Sequence, residues 1–309
     1  MQAPSVTSHL LMVRPVRFGF NEQTATNNAF QQPTADAAAA EAVAAKAVSQ
    51  FDAFVAMLRH HGVVVDVLQD TPEPSTPDSI FPNNCFSTHV DSSGSTLVLY
   101  PMYAPNRRLE RTKLLMLLDT FAFDRVLDLT VWEHRGHYLE GTGSLVLDRS
   151  HHFAFACRSP RTSEVVLREW AAALGYEYQL FDSVDAAGTP VYHTNVVMHV
   201  GARQAVVCLD SIPDLAQRHQ LINTLETLGK AVVPITLDQM SHFAGNMLEV
   251  TNPNRESILV MSATAHASLT SAQLDTLCHA STILTPDIHS IETAGGGSAR
   301  CMMAEIYQH

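Results

Sequence analysis

The 309-residue sequence contains no apolar run approaching the roughly 20 residues that cross a bilayer. Its first residues lack the basic stretch, apolar segment and small-residue cleavage site of a secretory leader, so the expected location is the cytoplasm. Basic residues are scarce. Nineteen Lys and Arg against 31 Asp and Glu leave a formal charge of -12, and without basic clusters a nucleic-acid partner is not expected. A small neutral or cationic substrate fits this balance better. The five cysteines, at 85, 157, 208, 278 and 301, are odd in number and widely spaced, the pattern of free thiols in a reducing compartment. No CxxC pair and no HExxH spacing is present, although His60 with His61 and His134 with His137 are close in sequence, so a metal site is not expected.

What is there is a chain that is 46% hydrophobic and 16% charged, enough to bury a large core. A helix is predicted from a cap at Thr34 to Gly62, with Val43, Ala47, Phe51, Phe54 and Leu58 at helical spacing, followed by a strand from Val63 to Leu68. The order recurs: helix Pro105 to Leu118 and strand Arg125 to Leu129, with Thr130 to Trp132 as a possible continuation. Next come a helix from Ser159 to Leu174 with strand Tyr176 to Phe181, a helix Pro213 to Leu228 with strand Ala231 to Ile235, and a helix Leu269 to His279 with strand Thr282 to Leu284. Helix starts near 106, 160, 213 and 269 are 54, 53 and 56 residues apart. Additional strands are predicted at Thr96 to Tyr100, Gly143 to Leu147, Val191 to Val200, Ala205 to Leu209 and Ser257 to Met261. Each unit then reads as two strands, a helix and another strand. A radial or stacked array satisfies this spacing, and so does an ordinary mixed sheet with evenly spaced helices. No Gly/Ser or charged linker divides the chain, so residues 1–309 are expected to form one α/β catalytic domain. The first 33 residues, rich in Asn and Gln, read as a strand and a polar loop suited to cover a site.

Cys301 follows Gly295-Gly296-Gly297-Ser298-Ala299-Arg300. A lone cysteine is more often a buried structural residue. Here the glycines permit close backbone approach by a ligand, and Arg300 or backbone N–H groups of a following turn are candidates to stabilise a thiolate. His193, in Tyr192-His193-Thr194-Asn195, sits where a turn delivers the chain to a strand, a position suited to a general acid and base. Any one of 16 histidines is more often structural. Asp78, in Pro77-Asp78-Ser79-Ile80-Phe81-Pro82-Asn83-Asn84, and Glu140, in Glu140-Gly141-Thr142-Gly143, are loop carboxylates able to accept two N–H groups from a guanidino or ureido fork. Taken singly, each is more often a turn residue.

Together with Asn106-Arg107-Arg108, these motifs occur in the order found in the guanidino-group-modifying superfamily, and the sequence resembles that superfamily over nearly its whole length. Its members include arginine deiminase, dimethylarginine dimethylaminohydrolase and the amidinotransferases. The opening Met12-Val13-Arg14-Pro15 and Phe18-Gly19-Phe20-Asn21 look like the citrulline-utilisation hydrolase branch. The resemblance implies a five-bladed α/β propeller of pseudo-fivefold symmetry with the active site on its axis. It implies Cys301 as nucleophile, His193 as acid and base, Glu140 as the orienting carboxylate, and Arg108 and Arg161 as holders of the substrate α-carboxylate. No metal or organic cofactor is implied.

Two positions depart from the arginine-acting members. Asn84 stands where an Asp grips the guanidinium, and Asn195 where deiminases carry a second Asp. An amide removes a charge and adds N–H donors, so a neutral ureido group suits such a site better than a guanidinium. The expected reaction is therefore hydrolysis of citrulline to ornithine, carbon dioxide and ammonia through a covalent Cys301 adduct. An amidinotransferase, a deiminase or dimethylarginine hydrolase, and a non-catalytic binding module are the alternatives. A homodimer is compatible with the size and acidity of the chain.

Overall fold

The evenly spaced helices belong to five similar blades arranged as an α/β propeller. The computed structural model describes residues 6–118 and 120–308. In chain order the strands are β1 (His9–Arg14), β2 (Val64–Gln69), β3 (Phe86–Asp91), β4 (Gly94–Leu99), β5 (Arg125–Asp128), β6 (Val146–Asp148), β7 (Phe153–Cys157), β8 (Glu177–Phe181), β9 (Met198–Val200), β10 (Gln204–Val207), β11 (Ala231–Pro234), β12 (Leu248–Thr251), β13 (Ser257–Val260), β14 (Thr282–Leu284) and β15 (Ala304–Glu305). They form five three-stranded sheets, β3-β4-β5, β6-β7-β8, β9-β10-β11, β12-β13-β14 and β15-β1-β2. In every sheet the middle strand runs antiparallel to the inner neighbour and parallel to the outer one, and helix intervenes before the outer strand. This is the predicted unit of two strands, a helix and a strand.

The fifth sheet joins the two ends of the chain. β15 pairs with β1 through Leu10↔Glu305 and Leu11↔Ala304. Beside that pairing the Ile306 N–H donates to the His9 carbonyl at 2.9 Å and the Thr7 hydroxyl to the Ile306 carbonyl at 2.8 Å. Each such bond contributes about 1 kcal/mol net. The middle strands are buried on both faces, which explains their continuous apolar runs: Leu10 to Val13 and Ala205 to Val207 are all buried. One face meets the helices outside, where Ala47, Phe51, Phe54 and Leu58 of the helix Ala37–His60 fill the layer.

Several boundaries move from their predicted places. The long first helix is capped by Asp36, whose carboxylate accepts the Ala39 N–H at 2.8 Å, rather than by Thr34. Helix Glu164–Leu174 starts at the cap Ser163, because Ser159 to Thr162 form a tight turn closed by the Thr162 N–H bond to the Ser159 carbonyl. Thr130 to Arg135 form a 3-10 helix, not a strand. The predicted strand Val191 to Val200 survives only as β9, because Thr194–Val197 form a helical turn. The same device recurs: turns at Pro82–Asn84, Gly141–Ser144, Thr194–Val197 and Ala299–Met302 immediately precede the first strand of their blades and pack against one another. That ring of turns carries the candidate site.

Candidate active site

Three of these turns present Glu140, His193 and Cys301. Glu140 precedes the turn Gly141–Ser144. Its N–H donates to Ser144 Oγ at 3.0 Å, and that hydroxyl donates to the Arg161 carbonyl at 2.8 Å, so the carboxylate's backbone is fixed from behind. Oε1 accepts the Tyr103 N–H at 2.9 Å, while Oε2 faces His193 Nε2 at 2.8 Å and Arg161 Nη1 at 3.5 Å. His193 caps the turn Thr194–Val197, which is locked to the next blade by the Thr194 hydroxyl bond to the Ser144 carbonyl at 2.6 Å.

Electrostatics settle the protonation of this pair. Burial alone would raise the Glu140 pKa, but Arg161, the His193 hydrogen bond and Arg107 outweigh it and hold the group at about 2. Burial depresses His193 to about 4, against the opposing pull of Glu140. At neutral pH an ionised carboxylate thus faces a neutral imidazole. A carboxylate can only accept, so Nε2 carries the proton and Nδ1 is left as the basic nitrogen. Gly143 makes room for it: a Cβ there would lie 2.7 Å from His193 Nδ1 and 2.3 Å from Asn84 Nδ2.

Cys301 lies in the 3-10 turn Ala299–Met302 and is buried. Its sulfur is faced by two amide nitrogens, Nδ2 of Asn195 and Nδ2 of Asn246, each at 3.4 Å. The Asn246 orientation is set by the Arg300 N–H, which donates to its Oδ1 at 3.0 Å. One expectation changes here. The Arg300 side chain turns away from the sulfur to the Met303 carbonyl and the Glu305 carboxylate, each at 2.8 Å, so amides take the place expected of that cation. The glycine run lines the cavity in front of Cys301, as expected, and also admits the Phe81 ring: Cβ atoms at Gly295 and Gly297 would lie 2.8 and 2.9 Å from it.

The cavity in front of Cys301 is lined by Asp78, Asn84, Arg107, Arg161, Tyr192 and His193 among others. Asn84 Oδ1 accepts from Arg107 Nη1 at 2.7 Å, and its buried Nδ2 has no protein partner. Asp78 Oδ2 accepts from Asn21 Nδ2 at 2.8 Å and Thr24 Oγ1 at 3.0 Å, while its buried Oδ1 is unpartnered; burial shifts this carboxyl upward. Arg161 stacks over Tyr192 with 4.9 Å to the ring centre and donates to Asn27 Oδ1 and the Thr24 carbonyl. Asn21, Thr24 and Asn27 all belong to the polar segment expected to cover the site, which also meets the glycine run through Gln31 Nε2 and the Gly295 carbonyl at 3.0 Å.

Arg108, like the Arg300 side chain, is not brought into this group. Its guanidinium donates to the Met102 and Tyr103 carbonyls at 3.0 and 3.1 Å, because consecutive helical residues project in different directions and Arg107 takes the inward one. Asn246 and Arg107 are the residues sequence reading missed. Phe243-Ala244-Gly245-Asn246 before β12 repeats the Phe-x-x-Asn of Phe81 to Asn84 before β3, a signal visible in the sequence.

Among the described residues, no group of three or more His, Cys, Asp or Glu is placed to hold a metal ion, and no helix is long and apolar enough to cross a membrane. The described cysteines are all free.

A sequence search against proteins of curated function finds no match. In fold, the chain is similar to ArgZ, an arginine dihydrolase from the ornithine-ammonia cycle in Cyanobacteria, with a TM-score of 0.76 and 16% identity. That match covers 97% of this chain and 41% of the full ArgZ chain. The N-terminal domain of ArgZ, in a variant covalently bound to a reaction intermediate, gives 0.73 and 17%, covering 97% and 98%. A dimethylarginine dimethylaminohydrolase adduct with S-methyl-L-thiocitrulline gives 0.65 and 15%, covering 97% and 100%. The family model described as N,N dimethylarginine dimethylhydrolase, eukaryotic, matches residues 14–308. With that match spanning nearly the whole length, the chain belongs to the N,N dimethylarginine dimethylhydrolase family, within the guanidino-modifying superfamily.

Proposed function

We propose that this protein is a cysteine-dependent hydrolase that cleaves the ureido group of citrulline, giving ornithine, carbon dioxide and ammonia. The observation that carries this reading is the orientation of Asn84. Arg107 Nη1 is a donor and sits 2.7 Å from one end of the amide, so that end is oxygen, and the N–H end, which lies with His193 Nδ1 against Gly143, has no protein partner. A guanidinium offers only N–H groups and would leave that donor unpaired, at a cost of about 1–3 kcal/mol. A ureido oxygen accepts it.

In the proposed reaction the Cys301 thiol gives its proton to His193 Nδ1, and the sulfur adds to the ureido carbon. The Asn84 N–H stabilises charge developing on the oxygen, a contribution of about 3 kcal/mol for a well-placed donor. His193 passes its proton to the first departing nitrogen, the C–N bond breaks, and a thiocarbamate-type adduct remains. His193 then takes a proton from water, whose oxygen attacks the adduct. The C–S bond breaks and the thiol is restored, and the resulting carbamate loses carbon dioxide, freeing the second nitrogen. Glu140 stabilises the imidazolium formed at each transfer. Asp78 Oδ1 offers an acceptor for the substrate ammonium. Arg161 is engaged by Asn27 and Thr24 in this conformation, so a substrate carboxylate that reaches it must displace them.

Arginine as first substrate has one observation on its side, the unpartnered buried acceptors Asp78 Oδ1 and Asn195 Oδ1. A product assay with citrulline, arginine and methylated arginines in turn, with Cys301→Ala as control, separates the readings. Ornithine from citrulline, lost in the variant, is expected. A kcat/KM for arginine well above that for citrulline overturns the substrate assignment, and turnover only with an added amine makes the enzyme a transferase.

A further inference from the structure

We infer that Arg107, pinned by Glu110, is a positioning residue that selects ureido over guanidino substrates by fixing which end of the Asn84 amide meets them. The inference deepens the citrulline reading and rests on it.

An asparagine amide is nearly symmetric in shape, and a flip exchanges its donor and acceptor ends. With nitrogen inward Asn84 suits a ureido oxygen; with oxygen inward it suits a guanidinium N–H. Nothing in the amide itself chooses. The choice is made by Arg107, whose guanidinium is committed to the protein. Nε donates to Glu110 Oε1 at 2.9 Å, Nη2 to Glu110 Oε2 and the Phe81 carbonyl, each at 3.0 Å, and Nη1 to Asn84 Oδ1 at 2.7 Å. Glu110 grips the fork bidentately, so the plane of the guanidinium is fixed and Nη1 is aimed at Asn84. Glu110 is held in turn by the Cys85 thiol, 2.9 Å from Oε2. Arg107, Glu110, Cys85 and Asn84 are all buried, so water does not replace any of these bonds. A flipped Asn84 would set an N–H2 group 2.7 Å from a charged donor. Arg107 also joins the Phe81 carbonyl to the helix Glu110–Leu118 through Glu110, so it fixes the backbone that carries Asn84 as well as the amide.

The test uses Arg107→Met with Glu110→Gln, a double variant that removes the two closely paired charges together, while Asp78 Oδ2, 3.9 Å from Arg107 Nε, keeps its bonds from Asn21 and Thr24. Two quantities are read: kcat/KM for citrulline, and the Ki of arginine as competitor of citrulline turnover. With the donor gone, Asn84 samples both orientations. The citrulline kcat/KM is expected to fall about 10-fold or more while arginine competes about 10-fold more tightly, a combined change on the order of 100-fold. Arg107→Lys, which keeps a charged donor, is expected to recover most of the discrimination. A double variant that loses citrulline activity with an unchanged arginine Ki overturns the inference, since a merely structural residue lowers activity without altering selectivity. If the double variant does not fold, Glu110→Gln alone, which loosens one side of the fork at constant shape, carries the same readout. A change of about threefold or more in the arginine Ki is expected there, and none overturns the inference. Failure of the citrulline reading is a different result: wild-type enzyme that itself prefers arginine.

Discussion

Replacing Glu140 by Gln tests the centre of the chemical argument, because it changes a charge and almost no volume. Glu140 accepts three donors: the Tyr103 N–H at 2.9 Å, His193 Nε2 at 2.8 Å and Arg161 Nη1 at 3.5 Å. A glutamine has one oxygen to offer. With that oxygen on Tyr103, its N–H2 group faces His193 Nε2 and forces the imidazole proton onto Nδ1, where a base is needed. With the oxygen on His193, its N–H2 group meets the Tyr103 N–H. Either way the imidazolium formed during proton transfer loses its anionic partner inside a fully buried site. Breaking one side of a buried ion pair costs about 3–5 kcal/mol, which at about 1.4 kcal/mol per decade is a loss of roughly 10² to 10⁴ in kcat. Steady-state turnover of citrulline, with circular dichroism to establish folding, measures it. A folded Glu140→Gln enzyme within about tenfold of wild type would refute the assignment of Nδ1 as the catalytic base.

The depressed His193 pKa sets the acid limb. With burial holding the group at about 4, protonation of the free enzyme removes the base only as pH falls towards that value, so kcat/KM at about pH 5.5 should stay near its neutral value. An unperturbed histidine of pKa near 6.5 would by then have lost about nine-tenths of it. The same shift acts on stability: the unfolded chain binds a proton at His193 that the folded one refuses, so the group destabilises the fold as pH drops from about 6.5 to about 4, seen as a falling melting temperature. Gly143→Ala would put a Cβ 2.3 Å from Asn84 Nδ2 and 2.7 Å from His193 Nδ1, displacing both, and should lower kcat by about 10² or more with the fold retained in thermal unfolding. Asn246→Ala removes one of the two N–H donors facing Cys301 and leaves the Arg300 N–H unpaired. Formation of the covalent adduct, followed by intact mass, should slow by roughly 10- to 100-fold.

The blades were legible because their signals are local. The apolar run Ile258 to Val260 and the helix stops at Gly175 and Gly229 need no knowledge of the ring. The short turns were not legible. Thr194-Asn195-Val196-Val197 is β-branched and apolar, and by propensity it reads as strand. Tertiary contacts, the Thr194 hydroxyl on the Ser144 carbonyl above all, bend it into a helical turn. The choice between Arg107 and Arg108 was closed for a similar reason. Both lie in one helical turn, and only the position of Glu110, Asn84 and the Phe81 carbonyl decides which points inward.

The pseudo-fivefold symmetry explains why the proposed catalytic group could be found in pieces and Asn246 could not. Three residues before the first residue of β3, β6, β9, β12 and β15 stand Asn83, Gly143, Asn195, Gly245 and Cys301. One backbone position, repeated five times around the ring, therefore holds the proposed nucleophile in one blade, an amide facing its sulfur in another, and in a third the glycine that leaves room for His193 and Asn84. One residue later stand Asn84 and Asn246, the two amides whose orientations are fixed by outside donors, Arg107 Nη1 and the Arg300 N–H. Because the blades share a backbone and the turns at Pro82–Asn84, Gly141–Ser144, Thr194–Val197 and Ala299–Met302 pack against one another, divergence among these positions builds an asymmetric site without disturbing the fold. The blade ending in β12 to β14 contributes neither acid, base nor nucleophile, and a search for reactive side chains passes over it. Aligning the five turns by their strands singles out Asn246 through position alone.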